Sequence, residues 1–213
     1  MKKDNIDYFT VEGFGDEWNR FDQSLLSKEE RQKYFDSYFS IFPKDILNKN
    51  SVGIDVGCGS GRWANLVAPY VRTLKCIDPS EAIEIAKTNL KKNPNCEFYK
   101  ASVDNMPIDN NSMDFGYSLG VLHHVPNTQA AIIDCVKKLK SGAPFLLYLY
   151  YAFDNRPIWY RKLWQLSELL RYLISRLPKN LRYIASQIIA GFIYFPLARG
   201  AKLLKTLGIM KKK

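Results

Sequence analysis

Short apolar runs alternate with amphipathic stretches through the middle of the chain. The runs with the composition of buried strands are "VGIDVG", "TLKCID", "CEFYKAS", "MDFGYSLG" and "APFLLYLYY". The stretches with helical spacing of apolar residues are "GRWANLVAPYV", "SEAIEIAKTNLKK" and "NTQAAIIDCVKKLK". Strands that alternate with helices predict an α/β fold with a doubly wound, mainly parallel sheet, as in Rossmann-like proteins.

Polar residues mark where several of the predicted helices begin. Ser80 and Asn127 stand at the starts of two of them and are predicted N-caps. Before the first strand, "SKEERQKYFDSYFSIF" opens with Ser27 and Glu30 in the spacing of a capping box. We therefore predict a helix there that packs beside the sheet.

The end of the chain has a different pattern. Apolar residues recur there at steps of 4, 3, 4, 3 and 4, which predicts an amphipathic helix: Trp159, Leu163, Leu166, Leu170, Leu173 and Leu177. Pro178 should end this helix. A run of 16 uncharged residues follows between Arg182 and Arg199. Because no segment reaches roughly 18 uncharged apolar residues, we expect no membrane-spanning helix.

Charge separates the same regions. Residues 1–150 contain 18 Lys and Arg against 19 Asp and Glu, whereas residues 151–213 contain 13 against 2, so the net charge of +10 comes from the end of the chain. The predicted domains are an N-terminal helical or lid segment (1–48), an α/β core (49–152) and a basic helical extension (153–213).

The cysteines and the first residues of the sequence indicate the cellular location and whether a metal site is expected. The four cysteines contain no CxxC pair, so no zinc or redox site is expected, and "MKKDNIDYFT" lacks the apolar core of a signal peptide. We expect reduced thiols and a cytoplasmic location.

Three alternating glycines, Gly57, Gly59 and Gly61, follow the first predicted strand. In a doubly wound sheet this turn faces the ligand. The spacing is GxGxG, not the GxGxxG of dinucleotide sites, and suits a ligand without a diphosphate. A tight turn that needs positive φ is the alternative explanation.

Two aspartates follow the next two predicted strands. Asp78, which ends the second strand, could accept hydrogen bonds from both hydroxyls of a ribose or merely cap the next helix. Asp104 after the third strand could accept from an exocyclic amine.

These motifs resemble the class I S-adenosylmethionine-dependent methyltransferases, in the branch of the ubiquinone and menaquinone biosynthesis methyltransferases. The resemblance covers about residues 50–150 and rests on "IDVGCGSGRW", "CIDPS", "SVDNMPIDNNSMDFGYSLGVLHHVPN" and "KKLKSGAPFLLYLY". It implies that S-adenosylmethionine is the cofactor, with Asp55 ordering its amino group, Asp78 its ribose and Asp104 its adenine amine. The residues expected to bind the cofactor are Asp55, Gly57, Cys58, Gly59, Gly61, Asp78, Pro79, Val103, Asp104, Ser118 and Leu119.

The histidine pair and an aromatic stretch near the N-terminus each allow two interpretations. His123 and His124, the only histidines, follow the fourth strand and either transfer a proton in catalysis or shape the turn. Phe14, Trp18 and Phe21 have near-helical spacing and either cover the cofactor as a lid or pack into the core.

The end of the chain departs from the family pattern, which continues with a helix and a closing antiparallel hairpin. Here the last strands are either absent or the chain is shorter than its relatives. Residues 157–213 either contact an anionic membrane, at its inner face, or cap the substrate cleft.

We expect methyl transfer to a small-molecule or lipid-like acceptor, with no metal. The alternatives are a non-catalytic protein of the same fold at a membrane surface and an RNA-modifying enzyme. Nucleic-acid binding is disfavoured because no recognition module accompanies the charge.

Overall fold

The computed structural model describes residues 5–20, 27–150 and 153–206. The chain divides into two compact units, Met1–Tyr150 and Tyr151–Lys213. Each unit is described by itself below.

The first unit is built on a five-stranded parallel sheet with the order β3-β2-β1-β4-β5. The strands are β1 (Val52–Val56), β2 (Thr73–Asp78), β3 (Cys96–Lys100), β4 (Phe115–Leu119) and β5 (Phe145–Tyr148). The helices are α1 (Tyr8–Arg20), α2 (Lys28–Tyr38), α3 (Ala64–Val67), α4 (Ala82–Asn89) and α5 (Thr128–Lys138). Single 3₁₀ turns lie at Lys44–Ile46, Ala68–Tyr70, Val103–Asn105 and Leu122–His124. The predicted doubly wound sheet is confirmed.

The predicted caps of α2 and α5 form, but that of α4 does not. Ser27 and Glu30 make the capping box of α2, and Asn127 accepts a hydrogen bond from the Ala130 amide at 2.9 Å. The N-cap of α4 is Glu81, one residue after the predicted position, and the Ser80 hydroxyl oxygen accepts a hydrogen bond from the Ala82 amide at 3.2 Å. The helix predicted over residues 61–71 is shorter than expected. It comprises α3 and a 3₁₀ turn that contains Pro69, a residue without an amide hydrogen.

Two apolar clusters cover the two faces of the sheet. Because successive side chains of a strand point to opposite faces, Ile54 and Val56 of β1 belong to one cluster while Asp55 points to the other. Phe35 and Phe39 of α2 bury their rings in that second cluster, where Phe39 packs 5.4 Å from Tyr117. The helix predicted ahead of the sheet therefore packs against it.

The described residues of the second unit form helices joined by turns and include no strand. Its helices are α6 (Ile158–Ser175), α7 (Lys179–Ile189) and α8 (Phe195–Thr206), and a π turn, Ala190–Tyr194, joins α7 to α8. The joined helix over Asn180–Leu204 has 25 residues and contains a window of 18 residues with a mean hydropathy of 1.3, none of which is buried. By length and composition it is able to cross a membrane, contrary to the expectation from uncharged runs alone.

Candidate functional site

The order of the strands places the site at the carboxyl edge of β1 and β4. From β1 the chain moves outwards to β2 and β3, and then returns to place β4 on the other side of β1. In open α/β sheets ligands bind at this point of reversal, outside the carboxyl ends of the strands. The loops after β1, β2, β3 and β4 converge at this edge. These loops and the strand ends beside them contain the residues that were predicted to bind the cofactor.

The glycine loop, residues 57–61, has an unusual backbone. Gly57, Gly59 and Gly61 have φ values of +78°, +52° and +80°, a region that residues with a side chain rarely adopt. A Cβ on Gly57 would lie 2.4 Å from a methyl carbon of Val121, and one on Gly61 would lie 2.7 Å from Leu90 Cδ1. Backbone conformation and packing against these side chains therefore require glycine here. Contact of the loop with the cofactor stays a prediction.

Asp78 holds the glycine loop in place. One oxygen of its buried carboxylate accepts a hydrogen bond from the Gly59 amide at 2.9 Å. The other accepts from the Ser80 amide at 2.9 Å and from the Ser80 hydroxyl at 2.6 Å. The amides of Gly57 and Cys58 donate to the Ile77 carbonyl at 2.8 and 3.0 Å. The loop after β1 is thus fixed to the end of β2 through both side chain and backbone.

Asp55 is enclosed by protein and is 1% exposed. Burial raises the pKa of its carboxyl from 3.8 to about 8, although the Tyr117 hydroxyl beside it acts in the opposite direction. Its Oδ2 atom has no hydrogen-bond partner among the described residues. A buried carboxyl with an unused oxygen suits a cationic ligand group, because such a group would favour the charged form.

The N-terminal segment contacts two of the loops at this edge, those after β3 and β4. The Asn5 amide donates to Asp104 Oδ2 at 3.0 Å, and the Asn5 side chain donates to the Asn127 carbonyl and accepts from its amide, both at 2.8 Å. Further along, the Phe14 ring packs edge-on 4.9 Å from His124. Phe14 therefore lies at the carboxyl edge of the sheet, where a lid residue would lie. The Trp18 side chain and Phe21 lie outside the described residues.

His123 has the environment of a neutral imidazole. Both of its ring nitrogens are buried without a hydrogen-bond partner, and burial lowers its pKa. Its ring lies 4.0 Å from that of His124 and 4.2 Å from that of Tyr150. A neutral imidazole with an unused nitrogen can accept a proton from a bound group. No cluster of three or more metal-ligating side chains occurs among the described residues.

The other predicted cofactor residues lie in the same loops or at the carboxyl end of β4. Ser118 is buried and its hydroxyl donates to the Val56 carbonyl at 2.8 Å, which ties β4 to β1. Leu119 and Pro79 are half-buried, and Cys58 and Val103 are buried. The fold thus gathers all the predicted cofactor residues at one edge. Their contact with a cofactor stays a prediction.

Sequence reasoning missed Asn5, Tyr117 and Tyr150. Asn5 lies 99 residues from Asp104 along the chain, so only the fold shows that they meet. Tyr117 had a local signal: it alternates with Gly116 and Ser118 on a buried strand, which places a hydroxyl inside the core. Tyr150 follows β5, the strand beside β4, so the sheet order brings it to His123.

Comparison with known proteins agrees with this geometry. Residues 54–147 match the family described as "Methyltransferase domain". The chain is 28% identical to the sterol 4-C-methyltransferase strm-1 of Caenorhabditis elegans over 48% of this chain and 32% of that protein. It is 32% identical to the tRNA (carboxymethyluridine(34)-5-O)-methyltransferase of Saccharomyces cerevisiae over 46% and 35%. It is 25% identical to the ubiquinone biosynthesis O-methyltransferase of Coxiella burnetii over 73% and 66%.

The matches cover only part of these relatives: the chain spans between 32% and 66% of their length. Among solved structures, a protein of Methanococcus maripaludis assigned as an S-adenosyl-L-methionine-dependent methyltransferase shares the fold. Its TM-score is 0.53 at 17% identity, over 100% of this chain and 91% of that one. Together with the parallel sheet and the glycine loop, these matches show that residues 54–147 are similar in sequence and in fold to methyltransferase domains.

Proposed function

We propose that the protein transfers a methyl group to a small-molecule or lipid-like acceptor at the cytoplasmic face of a membrane. The proposed class of acceptor rests on one observation, the exposed apolar surface of the second unit. Helices α6 and α7 bury none of their described side chains, and their large apolar side chains are exposed, with Trp159 at 67% and Leu163 at 58%. Exposed apolar surface on this scale marks an interaction site. Because this unit is also strongly basic, an anionic bilayer is the partner that complements it.

The residues at the sheet edge fit the cofactor. The unused oxygen of Asp55 would pair with the amino group, and Asp78 and Asp104 would face the ribose and the adenine. When bound, S-adenosylmethionine supplies an electrophilic methyl group. The chain itself then has to orient the acceptor and exclude water. His123 would take the acceptor's proton at one of its free ring nitrogens, if the nucleophile carries one.

A transfer assay with methyl-labelled cofactor tests the reaction. Purified protein is incubated with lipid, saccharide and RNA fractions, and we expect the label in the lipid or small-molecule products. Label in RNA alone would instead support an RNA-modifying enzyme, which the yeast tRNA-methyltransferase relative makes the second candidate. Binding of S-adenosylhomocysteine without any transfer would favour a non-catalytic protein.

Liposome flotation tests the membrane role. We expect full-length protein to float with anionic vesicles and a protein ending at Asp154 to stay in solution. A variant with Leu166→Gln and Leu170→Gln removes apolar contact and keeps the charge, whereas Arg182→Gln removes one charge only. High salt should weaken the electrostatic share of binding and spare the apolar share. Equal recovery of the full-length and truncated proteins in solution would refute the membrane role.

A further inference from the structure

A row of aromatic rings extends along the carboxyl edge of the sheet, from the end of α2 to the histidine turn. It comprises Trp63, Tyr38, Tyr148, Tyr150 and His123, and we call it the ring row. Neighbouring ring centroids are 4.9 Å apart for Trp63 and Tyr38, 5.1 Å for Tyr38 and Tyr148, 5.9 Å for Tyr148 and Tyr150, and 4.2 Å for Tyr150 and His123. Exposure of Tyr148 is 42% and of Tyr150 is 65%, so the row offers an open apolar face.

Arg62 lies at the end of the row away from His123. Its guanidinium carbon is 4.4 Å from the centre of the Trp63 ring and 5.5 Å from that of Tyr34. The Nε atom is buried and has no hydrogen-bond partner, and Arg62 forms no ion pair with the described residues. Burial lowers its pKa, as expected for a cation that has lost water without gaining a counter-charge.

An unpaired, half-buried guanidinium is unusual because desolvation of a charge is costly unless a partner compensates for it. Stacking on aromatic faces recovers part of that cost and leaves the edge of the guanidinium free. That edge carries donors in a planar fork that matches the oxygens of a phosphate or carboxylate. The arrangement is therefore suited to an anionic group.

We propose that Arg62 binds an anionic oxygen group of the methyl acceptor, a phosphate or a carboxylate, while the ring row holds the apolar part of the acceptor between that group and His123. The inference rests on the proposed function. The carboxylate of the cofactor is the competing occupant. Arg62 packs against Tyr34 and Trp63, and it forms no ion pair with Asp55, Asp78 or Asp104, the side chains predicted to hold the cofactor. An acceptor is thus the better match for this position.

Titration calorimetry on the full-length protein tests the proposal, with S-adenosylhomocysteine bound first to saturation. Octyl phosphate, inorganic phosphate and octanol are then added in separate titrations. They compare the phosphate group alone, the octyl chain alone and the two together. We expect octyl phosphate to bind at least tenfold more tightly than either of the others. Arg62→Gln should weaken octyl phosphate binding at least tenfold, and Arg62→Lys, which keeps the charge without the fork, should weaken it less.

Lys75→Gln is the matched control, because Lys75 also lies over an aromatic ring, 5.6 Å from the centre of Tyr99, but is paired with Glu97 at 3.2 Å. It should leave octyl phosphate binding unchanged. Equal affinity of wild type and Arg62→Gln for octyl phosphate would overturn the proposal. So would an Arg62→Gln protein, folded by circular dichroism, that loses S-adenosylhomocysteine as strongly as octyl phosphate, because Arg62 would then serve the cofactor. Failure of wild type to bind S-adenosylhomocysteine at all would instead contradict the proposed function.

Discussion

Replacing Asp55 with Asn should stabilise the unliganded protein, and by more at higher pH. The folded chain holds the Asp55 proton up to about pH 8, whereas the unfolded chain releases it near pH 3.8. Because the unfolded state binds fewer protons across this window, the stability of the wild type falls as the pH rises through it. Each pH unit removes about 1.4 kcal/mol, so the cost is about 4 kcal/mol at pH 7 and levels off above pH 8.

Urea unfolding of wild type and Asp55→Asn, without cofactor, at pH 5, 6, 7, 8 and 9 measures this effect. The advantage of the variant should grow by about 1.4 kcal/mol per pH unit and become constant above pH 8. Asp109→Asn, at an exposed carboxylate, is the matched control and should follow the wild type. Parallel curves for wild type and Asp55→Asn would refute the reasoning.

The same substitution should weaken the binding of the cofactor. An amide cannot pair with the amino group of S-adenosylhomocysteine as a carboxylate does, so we expect the affinity to fall while the unliganded protein gains stability. Calorimetry at pH 7 checks this. An Asp55→Asn protein that is more stable and binds with unchanged affinity would show that Asp55 has no role in cofactor binding.

Three further predictions concern the same edge of the sheet. Asp78→Ala removes the bonds to Gly59 and Ser80 and should lower both the stability and the affinity for S-adenosylhomocysteine by about 1 to 3 kcal/mol, as measured by urea unfolding and calorimetry. Gly59→Val forces a branched side chain to a φ of +52° and should abolish cofactor binding; a folded variant with wild-type affinity would contradict the pocket's placement. Burial keeps the pKa of His123 below 6.5, so activity should rise with pH through that lower value and then stay constant. His123→Gln should remove this acidic limb and cost about 100-fold in rate, and an unchanged rate would exclude proton transfer by His123.

The order of the elements follows from local pattern, and this much the sequence determined. Apolar runs separated by amphipathic stretches predicted the parallel sheet, and the caps at Ser27 and Asn127 form because each involves residues only three positions apart. The glycines, Asp78 and Asp104 were found because a parallel sheet always brings the carboxyl ends of its strands to one edge.

Contacts between distant segments were decided by the tertiary structure alone. Asp55 lies on the central strand between Cys76 of β2 and Tyr117 of β4, its partners in strands that are distant along the chain, so its burial and its raised pKa have no local signal. The ring row combines residues of α2, the start of α3, the histidine turn and the end of β5 with the chain just after it, which meet only once the sheet has formed.

The second unit shows the same division. Its apolar spacing and basic charge are properties of the sequence. Pro196, however, lies inside the joined helix, although proline has no amide hydrogen and clashes with the carbonyl four residues before it. In the structure the π turn Ala190–Tyr194 lies just before this proline and joins α7 to α8 as one helix over Asn180–Leu204. Wider turns relieve such clashes at the cost of one extra residue, and that accommodation depends on the folded backbone.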